Sequence, residues 1–314
     1  MQELIATGTM RLDVFLANTG AAASRIKARD MVKDGLVLVN GRIARKPALV
    51  LKEGDQIQVS ATGEPVTETR LHTADLQLEV LYEDDACMVI NKPAGISVHP
   101  GAGIPDDADT ILHGIAHLFA ERTLPFSSSA VLVHRLDKDT TGCLLIAKNP
   151  AAHKALQMQF EKRTVEKTYL AIVAGVPDPP AAIIEASIGR SSHDRTKMTV
   201  YGSNRSREAK TTYRTLCAGK EASLIACDLH TGRTHQIRVH MSTIGHAILG
   251  DATYTSVAAD TLAAAHDIKS ICLHARTLTF RSPSDETKRT VTAPLPSAFL
   301  GVLHEFGLQE PKEA

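Results

Sequence analysis

The hydrophobic positions of the chain follow two different periods, and the change falls near residue 76. Apolar residues at helical spacing predict a helix in RLDVFLANTG, ending at Gly20, and a second in ASRIKARDMVKDG, with Ser24 as N-cap and Gly35 as the stop. LVLVNGRIAR predicts a hairpin, because an Asn-Gly pair favours a tight turn between two strands. LKEGDQIQV adds a closing strand. The first segment is therefore predicted to be a small α/β domain.

Beyond residue 76, short β-favouring runs follow one another with turns between them. The clearest runs are LEVLYEDDACMVINKPAG, AVLVHRL, CLLIAK, KTYLAIVAG, TTYRTLC, ASLIACDLH and CLHARTLTF. AAHKALQMQFEKRT has the pattern of an amphipathic helix. Strands in sequence with few long helices between them predict an α+β domain on a mainly antiparallel, mixed sheet.

These patterns divide the chain into four parts. The small domain covers residues 9–60, and the large domain covers residues 76–306. Residues 61–75 contain Gly, Pro and Thr without apolar periodicity, so they are predicted to form a linker. Residues 307–314 remain as a tail.

The composition is that of a folded, soluble protein, with 43% apolar and 22% charged residues. The N-terminus lacks a basic stretch followed by an apolar one, so no signal peptide is predicted. The sequence contains no run of 18 apolar residues, so no membrane span is predicted. The five cysteines are scattered without a C-x-x-C pair, which indicates reduced thiols and a cytoplasmic protein.

The net charge is zero, but the charges are unevenly distributed. Residues 11–60 carry a net charge of +4, residues 61–130 carry −8, and residues 131–240 carry +7. Two basic segments suit a chain that meets a polyanion with two surfaces. Chance fluctuation of the charges explains the pattern equally well at this point.

HRLDKDTTG, residues 134–142, begins like a calcium-binding loop. Asp137, Asp139 and Gly142 occupy the first, third and sixth positions of an EF-hand. The twelfth position, which needs a bidentate Glu, is Lys148, and strands are predicted on both sides where an EF-hand has helices. The calcium interpretation is therefore rejected.

Histidine pairs offer a weak zinc hypothesis. His113 and His117 have helical metal-pair spacing, but Gly114 replaces the Glu of the H-E-x-x-H motif. His235 and His240 would point to opposite faces if THQIRVH were a strand. No metal site is predicted.

Basic residues cluster in the small domain on the second helix and after the hairpin turn: Arg25, Lys27, Arg29, Arg42 and Lys46. Such a surface can grip phosphates without reading bases, although a solvated charged face is the simpler interpretation. The stretch from RLDVFLA to GDQIQV resembles the S4 RNA-binding domain over nearly its full length. The resemblance implies that these residues bind RNA.

Three blocks of the large domain resemble the RluA-type pseudouridine synthases: VHRLDKDTTGCLLIAKN, ERTVEKTYLAIVAG and LHTGRTHQIRVHMSTIGHAILGD. Further matches are NKPAGISVHPG, GRSSHDRTKMTV, REAKTTYRTL and LHARTLTF. The resemblance covers residues 78–300 and implies the pseudouridine synthase fold. A family in which an S4 domain precedes this catalytic domain is known, so both parts of the chain agree.

The resemblance assigns roles to five residues. Asp137 matches the catalytic aspartate, which acts on a flipped-out uridine, and whether it attacks sugar or ring or acts as a base is left open. Arg238 matches the arginine that pairs with it and offsets the cost of burying the charge. Tyr169 matches the tyrosine that stacks on the base, and help in removing the C5 proton is a second role considered for it. Arg135 matches the arginine that fills the vacated space, and Leu273 an apolar wall. Asp139 is predicted to be structural.

The expected function is the isomerisation of specific uridines to pseudouridine by a cytoplasmic monomer that needs no cofactor. Large-subunit ribosomal RNA is the expected partner, because the S4 domain favours a ribosomal substrate by association. Three alternatives stay open: a synthase acting on transfer RNA, a non-catalytic RNA-binding or ribosome assembly factor, and metal-dependent hydrolysis at the histidines. The sequence does not name the uridine.

Overall fold

The computed structural model divides the chain into two compact units, Met1–His72 and Thr73–Ala314. It describes residues 2–60, 72–100, 104–105, 107–194, 196–201 and 206–311. Residues 61–71 of the predicted linker and 312–314 of the predicted tail lie outside this range. None of the helices within it is long and apolar enough to cross a membrane.

The first unit contains two helices and short antiparallel strands. In chain order these are β1 (Gln2–Ile5), β2 (Met10–Arg11), α1 (Leu12–Asn18), α2 (Arg25–Lys33), β3 (Val37–Val39), β4 (Arg42–Ile43), β5 (Val50–Leu51) and β6 (Gln56–Val59). One sheet has the order β1-β6-β3-β4, and β2 pairs with β5. The apolar side chains of α1 and α2 form a core with strands β3, β5 and β6.

The helix and turn predictions for this unit are confirmed. Ser24 Oγ accepts the backbone N–H of Lys27 at 3.2 Å, as an N-cap does. The hairpin between β3 and β4 turns at Asn40 and Gly41, which both have positive φ, as a tight two-residue turn requires.

The second unit is built on one large sheet. Its strands are β7 (Glu79–Glu83), β8 (Cys87–Lys92), β9 (Thr141–Ala147), β10 (Glu166–Ala174), β11 (Ala181–Glu185), β12 (Gly189–Arg190), β13 (Met198–Thr199), β14 (Lys210–Ala218), β15 (Ala222–Leu229), β16 (Leu273–Arg281) and β17 (Lys288–Thr292). Its helices are α3 (Ile111–Glu121), α4 (Pro150–Glu161), α5 (Gln236–Thr243), α6 (Val257–Ala265) and α7 (Ser297–Glu305).

The nine-stranded sheet has the order β11-β14-β15-β10-β16-β9-β8-β7, with β17 on β16. Its pairs are antiparallel except for a short parallel contact between β16 and β9. The predicted α+β class with a mainly antiparallel mixed sheet is confirmed. The central strands are continuous apolar runs because both of their faces are covered.

The cysteines are unpaired thiols, as predicted. Cys87, Cys143, Cys227 and Cys272 are buried, and Cys217 is partly exposed. Burial raises the pKa of Cys87 and of Cys143 to about 12. These thiols therefore serve as small apolar core residues.

The prediction of a strand in AVLVHRL is wrong. Only Leu132 makes an isolated bridge, to Ile146, and the segment from 133 to 140 has no strand. His134 explains the difference, because its Nε2 accepts the N–H of Leu145 at 2.9 Å. An imidazole nitrogen, not the backbone carbonyl of a neighbouring strand, therefore accepts this N–H of β9. The chain does not continue as a strand and turns at Asp137.

THQIRVH is a helix, not the strand considered above. His235 has φ +58°, in the left-handed region, and caps α5. The β-favouring Ile237 and Val239 are buried on this helix, so tertiary packing overrides their local preference. Of the two histidines with metal-pair spacing on α3, His113 Nδ1 accepts the N–H of Thr110 and His117 lies 3.5 Å from Glu121.

Gly142 holds β9 close to β16. Its φ is +106°, and a Cβ at this position would overlap the carbonyl of Ala275 and lie 2.9 Å from the Ala275 nitrogen. The sixth position of the supposed calcium loop is therefore a glycine because two backbones meet there.

We expect Gly142→Ala to lower the free energy of unfolding by about 3 kcal/mol, since it combines left-handed strain with a backbone clash. Urea unfolding followed by circular dichroism measures this. Gly301→Ala is the matched control, because Gly301 lies inside α7 where an added methyl group would enter open space, and alanine should stabilise the helix by about 1 kcal/mol. Equal stability of Gly142→Ala and the parent would contradict the close-approach argument.

Candidate active site

The turn that carries Asp137 is fixed by a buried lysine. Lys92, at the end of β8, is fully buried, and its Nζ donates to the carbonyls of Lys138 at 2.7 Å, Thr140 at 3.0 Å and Pro93 at 2.7 Å. Three donors thus meet three acceptors, as an ammonium allows. Burial lowers the pKa of Lys92 to about 8, although the charges of Asp139 and Asp137 oppose the shift.

Arg238 lies between two carboxylates. Its Nε donates to Asp251 Oδ2 at 2.7 Å and its Nη2 to Asp251 Oδ1 at 2.8 Å, a two-point ion pair. Its Nη1 reaches Asp137 Oδ2 at 3.4 Å. Burial alone would lower the pKa of Arg238, but the bonds and charges of the two aspartates raise it overall.

Asp251 is the anchor of this arrangement. Its side chain is fully buried, and Oδ1 also accepts the backbone N–H groups of Thr253 and Tyr254. Burial raises the pKa of Asp251, but the Arg238 and backbone bonds outweigh it, so the pKa lies below its usual value. The guanidinium of Arg238 also lies over the ring of Tyr254, 5.1 Å from its centroid.

His235 approaches Asp137 from the other side. Its Nε2 lies 3.9 Å from Asp137 Oδ1, and its Nδ1 lies 2.8 Å from the hydroxyl of Tyr254. That hydroxyl already accepts the N–H of Met198, so its own proton is available to Nδ1. Burial lowers the pKa of His235, which favours the neutral ring. Nε2–H then points towards Asp137.

A buried polar network fixes α5 against β14. Gln236 Nε2 donates to Lys210 O and Thr211 Oγ1, and its Oε1 accepts from Thr231 and from the N–H of Arg233. His240 bonds Thr211 Oγ1 and Ala186 O on the same side. The nitrogen and the oxygen of the Gln236 side-chain amide both have hydrogen-bond partners, so the orientation of the helix that carries Arg238 is well defined.

A cavity of about 110 Å³ opens beside Asp137. Tyr169 of β10 and Leu273 of β16 form part of its apolar wall, and both are buried. Burial, then the charges of Asp137 and Cys143, raise the pKa of Tyr169. Arg135 also lines this cavity and is exposed. All five residues predicted for the catalytic site therefore meet around one cavity.

Asp139 lies apart from this cavity. It is exposed and lines a different cavity of about 390 Å³, together with Thr141 and residues of the 266–272 segment. Asp139 is therefore not part of the site around Asp137, and its structural role stays a prediction.

The basic residues predicted to bind RNA in the first unit occupy exposed positions. Arg25 is partly engaged, since its Nε donates to Asp13 at 3.3 Å beside the two bonds from Arg11. The bond from Arg11 chiefly lowers the pKa of the buried Asp13 to about 2. Arg25 therefore helps to hold α1 and α2 together.

Four residues near the site were not assigned to it from the sequence: Lys92, His235, Asp251 and Tyr254, of which only His235 was considered, as a metal ligand. Each lies in or next to a stretch of the recognised blocks, and Gly250-Asp251 follows the buried apolar stretch at 247–249, where a turn is expected. A turn at this position does not reveal that Asp251 pairs with the guanidinium of Arg238. Asp137 and Asp251 are far apart in sequence, and only the fold brings both of them to Arg238.

Comparisons with known proteins identify the family. The family model described as RNA pseudouridylate synthase matches residues 86–243, and the S4 domain model matches residues 10–57. The chain is similar to the human protein whose solved structure is titled RNA Pseudouridylate Synthase Domain Containing 4, with a TM-score of 0.60 and 28% identity. This match covers 74% of the present chain and 95% of the human one.

Curated relatives match over nearly the whole chain. The ribosomal large subunit pseudouridine synthase D of Xanthomonas campestris pv. campestris is 39% identical over 91% of this chain and 86% of its own length. The protein of the same name from Vibrio parahaemolyticus is 36% identical over 98% of this chain and 99% of its own length. The chain belongs to the RNA pseudouridine synthase family, with an S4 domain before the catalytic domain, and is an isomerase that acts on RNA.

Proposed function

We propose that Asp137 is the catalytic carboxylate and that the target uridine enters the cavity between Tyr169, Leu273 and Arg238. The observation that carries this is the geometry of Asp137, which faces the cavity with one oxygen towards Arg238 and the other towards His235. A base in a duplex is out of reach of such a recessed group, so the nucleotide must be extruded.

The reaction breaks the N1–C1′ bond of uridine and forms a C5–C1′ bond, while a proton leaves C5 and a proton is gained at N1. Atoms and electrons balance within the nucleotide, so a carboxylate that acts as nucleophile or base is sufficient. Arg238 supplies positive charge beside the carboxylate. Arg135, at the exposed rim, is placed to enter the space that the base leaves.

Tyr169 is proposed as the stacking surface for the extruded base. Its raised pKa means that the phenol stays protonated at neutral pH, and an ionised tyrosine base is disfavoured there. Its ring belongs to a buried strand position beside Leu273, which gives the cavity an apolar side suited to a pyrimidine face.

We propose large-subunit ribosomal RNA as the substrate. Two relatives that match nearly the full chain are named ribosomal large subunit pseudouridine synthase D, and the S4 domain supplies a second RNA-binding unit. A transfer RNA target is the alternative that the mapping experiment below separates from this one.

Asp137→Asn is expected to abolish pseudouridine formation, because the amide lacks the negative charge that either chemical role requires. Pseudouridines in total RNA are mapped by carbodiimide modification in cells that lack the gene and in cells rescued with the parent or with the variant. Positions that vanish in the deletion should return only with the parent gene, and they identify the substrate RNA.

Asp139→Asn is the matched control, since it makes the same change in the same turn outside the cavity. It should restore every position that the parent restores. Full restoration by Asp137→Asn would overturn the assignment of the carboxylate, and positions in transfer RNA would replace the ribosomal proposal.

Asp251→Asn is expected to lower kcat by about 100-fold with little change in KM, because Asp251 orients Arg238 but does not line the cavity. Tritium release from RNA labelled at uridine C5 measures both constants. Asp267→Asn, which removes a carboxylate from an exposed pair with Lys269, is the control and should leave kcat unchanged. A change in KM alone would contradict a positioning role for Asp251.

A further inference from the structure

A second cavity adjoins the one beside Asp137 and has no role in the steps above. Its volume is about 420 Å³, and we call it the basic groove after four of its lining residues, Arg135, Arg163, Lys167 and Arg233. Arg135, Tyr169, Leu229, Gly232 and Arg233 line both cavities. A linear polymer with one residue bound beside Asp137 would therefore place the adjacent residue in the groove.

The lining is strongly cationic. Against the four basic side chains stands Glu161, the one acidic residue among the described residues that line the groove. Arg163 forms an ion pair with Glu208 at 3.3 Å, but both side chains are exposed, and such pairs contribute little free energy. The excess of positive charge in the groove therefore favours an anionic ligand.

Lys167 is the unusual member of this set. It is half-buried on β10, and among the residues that the structure describes its ammonium has neither a carboxylate nor a hydrogen-bond partner. Its Nζ lies 5.6 Å from the centroid of the Phe160 ring. Burial lowers its pKa, as expected when nearby charge does not compensate for lost water. A charge that is partly desolvated in this way gains from an anionic ligand.

The floor of the groove beside Lys167 is aromatic. His134 stacks on Phe160, with ring centroids 4.8 Å apart and an interplanar angle of 22°. Burial and the charge of Lys167 lower the pKa of His134 to about 3, and its Nε2 is committed to the N–H of Leu145. His134 is therefore neutral and fixed, so the positive charge is concentrated on Lys167 and the arginines.

We propose that the basic groove binds the internucleotide phosphate next to the target uridine in a single strand of RNA, with Lys167 as its central contact. This inference rests on the proposed entry of the uridine beside Asp137. Continuity of the two cavities favours an RNA strand over an acidic protein segment, and cationic grooves with aromatic surfaces are typical of proteins that bind single strands. Holding the adjacent phosphate would fix the extruded nucleotide from its backbone side.

The test measures binding of a fluorescein-labelled pentauridylate by anisotropy at increasing KCl, with the full-length Asp137→Asn protein as parent so that no turnover occurs. Adding Lys167→Gln should raise Kd about tenfold, the loss of one charge-assisted phosphate contact. The slope of log K against log salt should become shallower by about 0.7. Lys167→Arg should restore both values.

Lys154→Gln is the matched control, because Lys154 is an exposed lysine of α4 that does not line the groove. It should change neither Kd nor the slope. Thermal melting confirms that each variant is folded. Equal behaviour of Lys167→Gln and Lys154→Gln, or undetectable binding of pentauridylate to the parent, would overturn the proposal.

A second measurement separates this proposal from the proposed function. In the tritium-release assay on C5-labelled RNA from cells that lack the gene, Lys167→Gln in an otherwise unchanged chain should raise KM about tenfold and leave kcat within about twofold. If Asp137→Asn is active while Lys167→Gln weakens RNA binding, the catalytic assignment of Asp137 is refuted and the role of the basic groove is retained. A Lys167→Gln effect on kcat alone would refute the groove and keep Asp137.

Discussion

Arg238 is shared by two carboxylates, and the arrangement of the site depends on how unequally it is shared. Asp251 takes Nε and Nη2 in two short bonds, which fix the plane of the guanidinium. Only Nη1 is left for Asp137, at the longer distance of 3.4 Å. Asp137 therefore has a positive charge beside it without the two-point grip that would immobilise both of its oxygens. This combination of a neighbouring positive charge and loosely held oxygens suits the catalytic role proposed for Asp137.

The second unit brings distant parts of the chain to this point. The Asp137 turn rests on Lys92 of β8, Arg238 lies on α5, and Asp251 follows that helix. Tyr169 and Leu273 come from the paired strands β10 and β16, and Gly142 lets β9 approach β16 beside the turn. Since side chains alternate along a strand, a register slip of one residue would turn Tyr169 away from the cavity. The large sheet thus sets the positions, and the turn and helix supply the charges.

Sequence reasoning predicted the features that depend on local chemistry. The Asn40-Gly41 turn and the Ser24 cap need only neighbouring residues, and the α+β class follows from the order of apolar runs. The strand in AVLVHRL was predicted wrongly because the His134 side chain accepts a hydrogen bond from a backbone N–H of β9. The hydrophobic pattern of the sequence does not reveal such a bond. Asp251 was missed for a related reason: the choice between two carboxylates for one guanidinium is made in three dimensions. The site residues that were predicted came from family resemblance, not from spacing.

A neutral chain can still carry a surface for RNA, because electrostatic attraction depends on local charge. Screening limits the reach of exposed charges to about 8 Å at physiological salt. The −8 of residues 61–130 therefore offsets the +7 of residues 131–240 only where the two segments lie side by side. The four cations of the basic groove all come from the 131–240 segment; Glu161 is the acidic residue of the described lining, and Glu208 pairs with Arg163 at the surface. Net charge is thus a poor guide to where this protein binds RNA. The position of Lys167, a half-buried lysine without a counter-ion among the described residues, is a better one.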